Sequence, residues 1–181
     1  MAVWIGMLRG VNVGGTHKVP MERLRRICAA LGFGKPQTFI QSGNVVFEAD
    51  ERDRLVLAAR MEDELEREFG FRAAVILRSL AELRGVVARN PFAGRDDVAP
   101  NKLLVTFLDS DPGEVARLAV RGILVSPEEL FIDGSELFIY YPAGSGQSKL
   151  PVAKIDRAHG RVGTSRNWNS VLKLMAMAEE R

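Results

Sequence analysis

The feature that most restricts the fold is an order of elements that occurs twice. In the first half, Ala2–Leu8 is an apolar run of strand length, and a glycine-rich loop follows it. Met21, Leu24, Ile27, Cys28 and Leu31 then recur at helical spacing after Pro20, which suits a first helical turn, and Gly32 offers a stop. Thr38–Gln41 and Asn44–Phe47 flank Ser42-Gly43 and predict a hairpin. Asp53–Phe69 predicts a long helix with Leu55, Ala58, Met61, Leu65 and Phe69 facing inward, and Ala73–Leu77 predicts another strand. Strand, helix, strand, strand, helix, strand is the split βαβ order, whose helices cover one face of a sheet.

The second half begins the same order again. Lys102–Leu108 predicts a strand, Asp111-Pro112-Gly113-Glu114 opens a helix, and Asp133-Gly134 turns a hairpin between Glu129–Ile132 and Glu136–Tyr141. Ser148 is placed to cap a helix running to about Ala158, with Arg161–Thr164 as a short strand behind it. Asn167–Ala178 predicts a closing helix with Trp168, Val171, Leu172 and Met175 as its apolar stripe. Between the halves, Ser79-Leu80-Ala81-Glu82 matches a capping box, and Pro91–Asn101 (PFAGRDDVAPN) has no periodicity. The expectation is an α+β protein of two ferredoxin-like (split βαβ) halves, with antiparallel or mixed sheets and helices packed on them. The expected domains are 1–90 and 102–181, with 91–101 as a linker.

Composition excludes several classes. A chain of 181 residues can bury a core without staples, and its one cysteine, Cys28, forms no internal disulfide and no cysteine-based zinc cluster. No apolar run approaches the roughly 18 residues that span a bilayer, and no signal-peptide pattern opens the chain, so a cytoplasmic protein without a membrane partner is expected. The net charge of +2 conceals an uneven distribution. Residues 1–47 carry Arg9, Lys18, Arg23, Arg25, Arg26 and Lys35 against Glu22 alone, and 137–176 carry Lys149, Lys154, Arg157, Arg161, Arg166 and Lys173 against Asp156 alone. The middle of the chain is acidic.

Both basic segments contain a glycine-rich loop. In Arg9–Lys18, Gly14 and Gly15 let backbone N–H groups approach an anion, Arg9 and Lys18 supply charge, and Asn12 can bond a ligand or pin the loop. Pro142–Lys149 combines two glycines, hydroxyls and Lys149 ahead of a helix. Neither loop has the spacing of a phosphate-binding P-loop or a dinucleotide fingerprint. The segment from Arg161 to Asn169 adds Arg166 and Asn169 as donors, and Lys154, Arg157 and Arg161 form a basic stripe if their helix persists. Ser42 and Asn44 belong to the hairpin turn. The candidate ligand-binding set is therefore Arg9, Asn12, Gly14, Gly15, Lys18, Ser42, Asn44, Lys149, Arg166 and Asn169. Cys28 falls on the apolar side of its helix, His17 and His159 share no motif, and Ser42 has no neighbouring base, so no catalytic group stands out.

LRGVNVGG at the start, the IQSGNVVF hairpin, RSLAELRGVVARNPF, SKL at 148–150 and RNWNSVLKL near the end resemble an uncharacterised bacterial protein family that carries a domain of unknown function. The resemblance spans the chain and implies a two-part α+β protein whose first part is ferredoxin-like. It carries over no substrate, cofactor or catalytic residue. The residues favour a binding protein for an anionic ligand (nucleotide, phosphorylated metabolite or nucleic acid) in a cleft between the halves. The rivals are an enzyme acting on a phosphorylated small molecule, and a structural or protein-partner role. Nucleic acid is the less favoured ligand, no cofactor or metal is expected, and oligomeric state has no signature.

Overall fold

The computed structural model describes all residues, Met1–Arg181. By its contacts the chain forms two compact units: Met1–Gly85 with Lys173–Arg181, and Val86–Leu172.

The first unit contains β1 (Ala2–Leu8), α1 (Met21–Ala30), β2 (Gly34–Phe39), β3 (Asn44–Ala49), α2 (Arg54–Phe69) and β4 (Val75–Ser79), followed by α3 (Leu80–Ala88). Its sheet runs β2-β3-β1-β4, and all neighbours are antiparallel. The registers Trp4↔Phe47 and Gly6↔Leu77 put Trp4, Val45, Phe47 and Leu77 on one face of the sheet. They pack there with Leu24, Ile27 and Cys28 of α1 and Leu57, Met61 and Leu65 of α2. The inward stripe of α2 is thus Leu57, Met61 and Leu65, one residue i to i+4 above the next, while Leu55 is 67% exposed. Leu55 precedes the stripe on the first turn, where Asp53 caps its N–H. Pro20 lies at the cap of α1 and not inside its first turn.

The second unit contains β5 (Leu103–Leu108), α4 (Glu114–Arg121), β6 (Glu129–Asp133), β7 (Glu136–Tyr140), α5 (Val152–His159) and β8 (Gly163–Asn167), and it leads into α6 (Trp168–Glu179). Its sheet order, β6-β7-β5-β8, matches the first sheet strand for strand. The helix-side core gathers Leu108, Leu137, Ile139 and Tyr141 from the sheet region with Val120, Ile123, Leu150 and Ile155. The chain is therefore an α+β protein made of two split βαβ halves, as the sequence predicts.

Equivalent strands carry equivalent residues. Arg78 of β4 stands opposite Ile5 of β1, and Arg166 of β8 stands opposite Val105 of β5; both arginines are buried. One residue further on, Ser79 caps α3 by accepting the Glu82 N–H, and Asn167 caps α6 by accepting the Ser170 N–H. Asn44 and Glu136 open β3 and β7 at matching registers, opposite Met7 and Phe107, and both are buried.

Pro91–Asn101 is not a free linker. It belongs to the second unit, because Phe92 packs edge-on to Phe131 at 5.3 Å and Arg95 pairs with Glu129 at 2.9 Å. Likewise the last turns of α6 belong to the first unit: Arg84 pairs with Glu179 at 2.9 Å, and Arg181 donates to Gln37 and to the Val46 carbonyl at 3.1 Å. In α6 the buried stripe is Trp168, Val171 and Leu174, while Leu172 is exposed. No helix is long and apolar enough to cross a membrane.

Candidate functional site

The Arg9–Lys18 loop leaves the end of β1 as a small hairpin of its own. Asn12 N–H bonds the His17 carbonyl at 3.1 Å, Thr16 N–H bonds the Val13 carbonyl at 3.1 Å, and Gly14 and Gly15 turn the chain at φ of 60° and 78°. Those angles suit glycine, which has no Cβ to clash. The loop is pinned by Asn12. Its Nδ2 donates to the carbonyls of Val19 at 2.9 Å and Gln41 at 2.6 Å, and its Oδ1 accepts the Val19 N–H at 2.8 Å. Gln41 lies in the connection between β2 and β3, so one carboxamide ties the loop to the hairpin turn.

That turn is longer than the two residues Ser42-Gly43 suggest. β2 ends at Phe39, and Ile40 to Gly43 make the connection, with Ile40 at φ 51° and Gly43 at φ 77°. A Cβ on Gly43 would meet Val11 Cγ2 at 2.6 Å and Leu8 Cβ at 2.8 Å, so only glycine fits between the two loops. Asn44, fully buried, donates to the Phe39 carbonyl at 3.1 Å and the Ser42 hydroxyl at 2.9 Å. The structure thus brings Arg9, Asn12, Gly14, Gly15, Lys18, Ser42 and Asn44 to one end of the first sheet. Asn12, Ser42 and Asn44 are engaged within the protein, whereas Arg9, Gly14, Gly15 and Lys18 are exposed.

In the second unit, Pro142–Lys149 follows β7. The residue before this loop, Tyr141, donates its N–H to the Lys102 carbonyl at 2.9 Å, and Lys102 Nζ bonds the Pro142 carbonyl at 2.7 Å. Ser148 does not cap α5, which starts at Val152 behind Pro151. Its hydroxyl instead donates to the buried Glu128 and accepts the Leu150 N–H. Lys149 is exposed beside it. Leu104↔Asn167 and Leu103↔Tyr140 pairing puts the start of this loop and the β8–α6 junction, with exposed Asn169, at the same end of the second sheet. Arg166 lies inside β8. Its Nη1 donates to Thr164 Oγ1 and the Ser165 carbonyl at 2.8 Å, and burial pushes its guanidinium down to about 10, still charged at neutral pH. The basic stripe is broken: α5 stops at His159, where Gly160 adopts φ 62°, so Arg161 is off the helix.

The exposed and half-buried cations differ in their partners. Arg23, Arg26, Arg54, Arg67, Arg72 and Arg84 in the first unit, and Arg89, Arg95, Arg117 and Arg121 in the second, each face a carboxylate. Arg9, Lys18, Lys149, Lys154 and Arg157 face none, so their fields are directed to solvent. The helices behind the two glycine-rich loops, α1 and α5, also start from a proline with no side-chain cap. In α1 the first-turn N–H groups are left for water or a ligand, whereas in α5 Val152 and Lys154 donate theirs to the Leu150 and Pro151 carbonyls.

The groups that could do covalent chemistry are withdrawn. Cys28 is fully buried, and burial pushes its thiol up to about 12, so it carries no thiolate at neutral pH. His159 is buried, with Nδ1 accepting the Arg161 N–H at 3.1 Å and Nε2 facing Asp156 at 3.2 Å. The exposed His17 packs against Phe71 at 4.5 Å between ring centroids. No cluster of three or more acidic, histidine or cysteine side chains is arranged to hold a metal ion.

A family model described as "Protein of unknown function (DUF1697)" matches residues 1–138. The chain belongs to this family. Among curated proteins none matches. The conserved bacterial protein SP0830 from Streptococcus pneumoniae has a similar structure, with a TM-score of 0.78 and 23% identity over 99% of each chain. At that identity the likeness shows a shared fold. The sequence reading missed Arg78, the counterpart of Arg166, and the buried Glu128 and Glu136. The signal for Arg78 was available: Arg78-Ser79 and Arg166-Asn167 each put an arginine directly before a helix cap.

Proposed function

We propose that this DUF1697 chain is a binding protein for an anionic ligand, a nucleotide or phosphorylated metabolite, recognised through the cations of its glycine-rich loops. The observation that carries this is the pairing pattern. Most exposed arginines are neutralised by carboxylates, while Arg9 and Lys18 on one loop and Lys149 on the other have no such partner. Unpaired cations on a loop that precedes the uncapped α1 suit a phosphate, which takes charge from the side chains and hydrogen bonds from the backbone; Lys149 offers charge alone. Asn12, Gly43 and Asn44 hold the first loop in shape, and Gly14 and Gly15 give backbone access. In this reading Arg166 is an internal strut and not a ligand contact, because its guanidinium is buried and bonded within its own strand.

Calorimetric titration of the full chain with inorganic phosphate, mononucleotides and short RNA or DNA, over a salt series, tests the proposal. A small site gives saturable binding of a mononucleotide with a shallow salt dependence; a steep slope for oligonucleotides would instead mark many phosphate contacts. Arg9→Ala with Lys18→Ala, or Lys149→Ala, should weaken binding about tenfold or more. Saturable binding of none of these anions, or binding unchanged in every variant, overturns it.

A further inference from the structure

The two halves of the repeat differ most in the connections that meet beyond the end of β1 and of its counterpart β5. Hydrogen bonds align the halves there. Leu8 N–H bonds the Gly43 carbonyl at 2.9 Å, and Leu108 N–H bonds the Ser135 carbonyl at 2.8 Å. Arg9 N–H bonds the Ala74 carbonyl at 2.9 Å, and Asp109 N–H bonds the Val162 carbonyl at 2.8 Å. From this common frame the second unit takes the short way: residues 109–113 reach α4, and Gly134-Ser135 alone turn the hairpin. The first unit uses residues 9–20 and 40–43 for the same two connections. The charge differs too, since Arg9 stands where the second unit has Asp109.

The longer connections hold side chains in conformations that do not suit them. Three of the chain's four non-glycine residues at positive φ are here: Asn12 at 56°, His17 at 48° and Ile40 at 51°; the second unit has none. Asparagine tolerates this region, but isoleucine, branched at Cβ, is among the residues least suited to it. Burial does not account for Ile40, whose side chain is 50% exposed. Val13, at the tip of the neighbouring loop, is 66% exposed, and the exposed His17 ring lies against Phe71. All three are tied to one clamp. Asn12 Nδ2 bonds the Gln41 carbonyl beside Ile40, Asn12 N–H bonds the His17 carbonyl, and Val13 follows Asn12 in the chain. Strain that holds an apolar side chain out in water does nothing for the folded chain by itself; such strain is kept where a ligand uses it.

We propose that Val13, His17 and Ile40 form the wall that receives the base of a nucleotide whose phosphate pairs with Arg9 and Lys18. They thereby select nucleotides over sugar phosphates. This rests on the anion-binding reading above and narrows it. A base offers a flat face that packs on aliphatic groups and stacks on an imidazole, whereas a sugar phosphate offers hydroxyls that an aliphatic wall cannot bond. The second unit, with a short connection, a carboxylate at the position of Arg9 and no strained apolar residue, lacks every part of this arrangement.

The test is calorimetric titration of the full chain with a mononucleotide, ribose 5-phosphate and inorganic phosphate, together with the urea midpoint of each variant. The wild type should bind the mononucleotide at least tenfold more tightly than ribose 5-phosphate. Ile40→Gly should weaken the mononucleotide at least fivefold and leave ribose 5-phosphate within twofold. Its urea midpoint should equal or exceed that of the wild type, because glycine relieves the strain. Ile40→Asn, which also accepts a positive φ, should show the same selective loss without the added freedom of glycine. The Arg9→Ala, Lys18→Ala double variant should instead weaken both phosphorylated ligands by a similar factor. Equal wild-type affinity for the mononucleotide and ribose 5-phosphate overturns this inference and leaves the anion reading standing. So does unchanged mononucleotide binding in both Ile40 variants, or a lowered midpoint in both, which would make Ile40 a structural residue. Binding of none of the three anions overturns both.

Discussion

Asn12→Ala separates the scaffold of the first loop from its ligand-facing groups. The carboxamide makes three hydrogen bonds, two to the paired Val19 backbone and one to the Gln41 carbonyl of the neighbouring connection. At about 1 kcal/mol net for each, their loss removes ~3 kcal/mol. Asn12 also sits at φ 56°, where alanine adds roughly 1 kcal/mol. Partial exposure of the site lets water replace some of these bonds, so a net loss of about 2–3 kcal/mol is expected. Asn12→Asp should be no milder, since it keeps the acceptor for Val19 but turns a carboxylate oxygen toward two carbonyls. Two readouts are apt: the urea midpoint, and hydrogen exchange at the Val19 amide, which loses its only side-chain acceptor. A midpoint shift worth less than about 0.5 kcal/mol, with Val19 still protected, would refute the view that this side chain organises the loop.

Gly43→Ala should cost at least 2 kcal/mol in thermal or urea unfolding, because the new methyl group meets Leu8 and Val11 within 2.8 Å at a φ of 77°; a neutral result would mean that the two loops are not in contact in solution. Cys28 should resist thiol reagents at pH 8 in the native chain and react fully after denaturation. Its folded-state value of about 12 lies above the ordinary value of 9.0, so the contribution to stability is complete below pH 9 and is lost as pH rises from there toward 12. The slope is at most ~1.4 kcal/mol per pH unit, and Cys28→Ala should flatten that part of the urea-midpoint profile. Alanine substitutions at Arg9, Lys18 and Lys149 should each change stability by less than about 0.5 kcal/mol, since these exposed side chains form no ion pairs; a larger loss would identify a structural role.

The repeated order was legible because strands and helices here differ clearly in period and because turn and cap residues stand where the chain reverses. Asp133-Gly134 and the Ser79–Glu82 capping box are where they were expected. Boundaries moved where local chemistry offered two solutions. Ser148 has the residue type of a cap, yet its hydroxyl is drawn to a carboxylate, Glu128, 20 positions away in sequence. Leu55 and Leu172 fit a helical stripe by type but lie off the buried arc, a rotation that depends on what the helix packs against. Pro91–Asn101 looked like a connector because it lacks periodicity, but Phe92 and Arg95 anchor it by contacts that no local pattern encodes.

The candidate site was legible in part. The glycines and cations of the first loop marked an unusual segment, and Asn12 was foreseen as a clamp or a contact; only the structure shows its bonds to Val19 and Gln41. Arg166 looks like a ligand group in the sequence because it stands in a run dense in polar donors, Arg161 to Asn169. In the structure it is buried and donates to Thr164 and to the Ser165 carbonyl. Which cations are neutralised is a property of tertiary pairing, invisible in the charge sum, and it leaves Arg9, Lys18 and Lys149, with Lys154 and Arg157, without a carboxylate.

The most direct test is equilibrium binding of one fluorescent mononucleotide to the wild-type chain, to an Arg9→Glu, Lys18→Glu variant, and to a control in which a paired cation is reversed, Arg26→Glu. Anion recognition by the unpaired loop cations predicts saturable binding to the wild type, a loss of tenfold or more in the loop variant, and little change in the control. Equal affinity for all three proteins, or none for any, would contradict it.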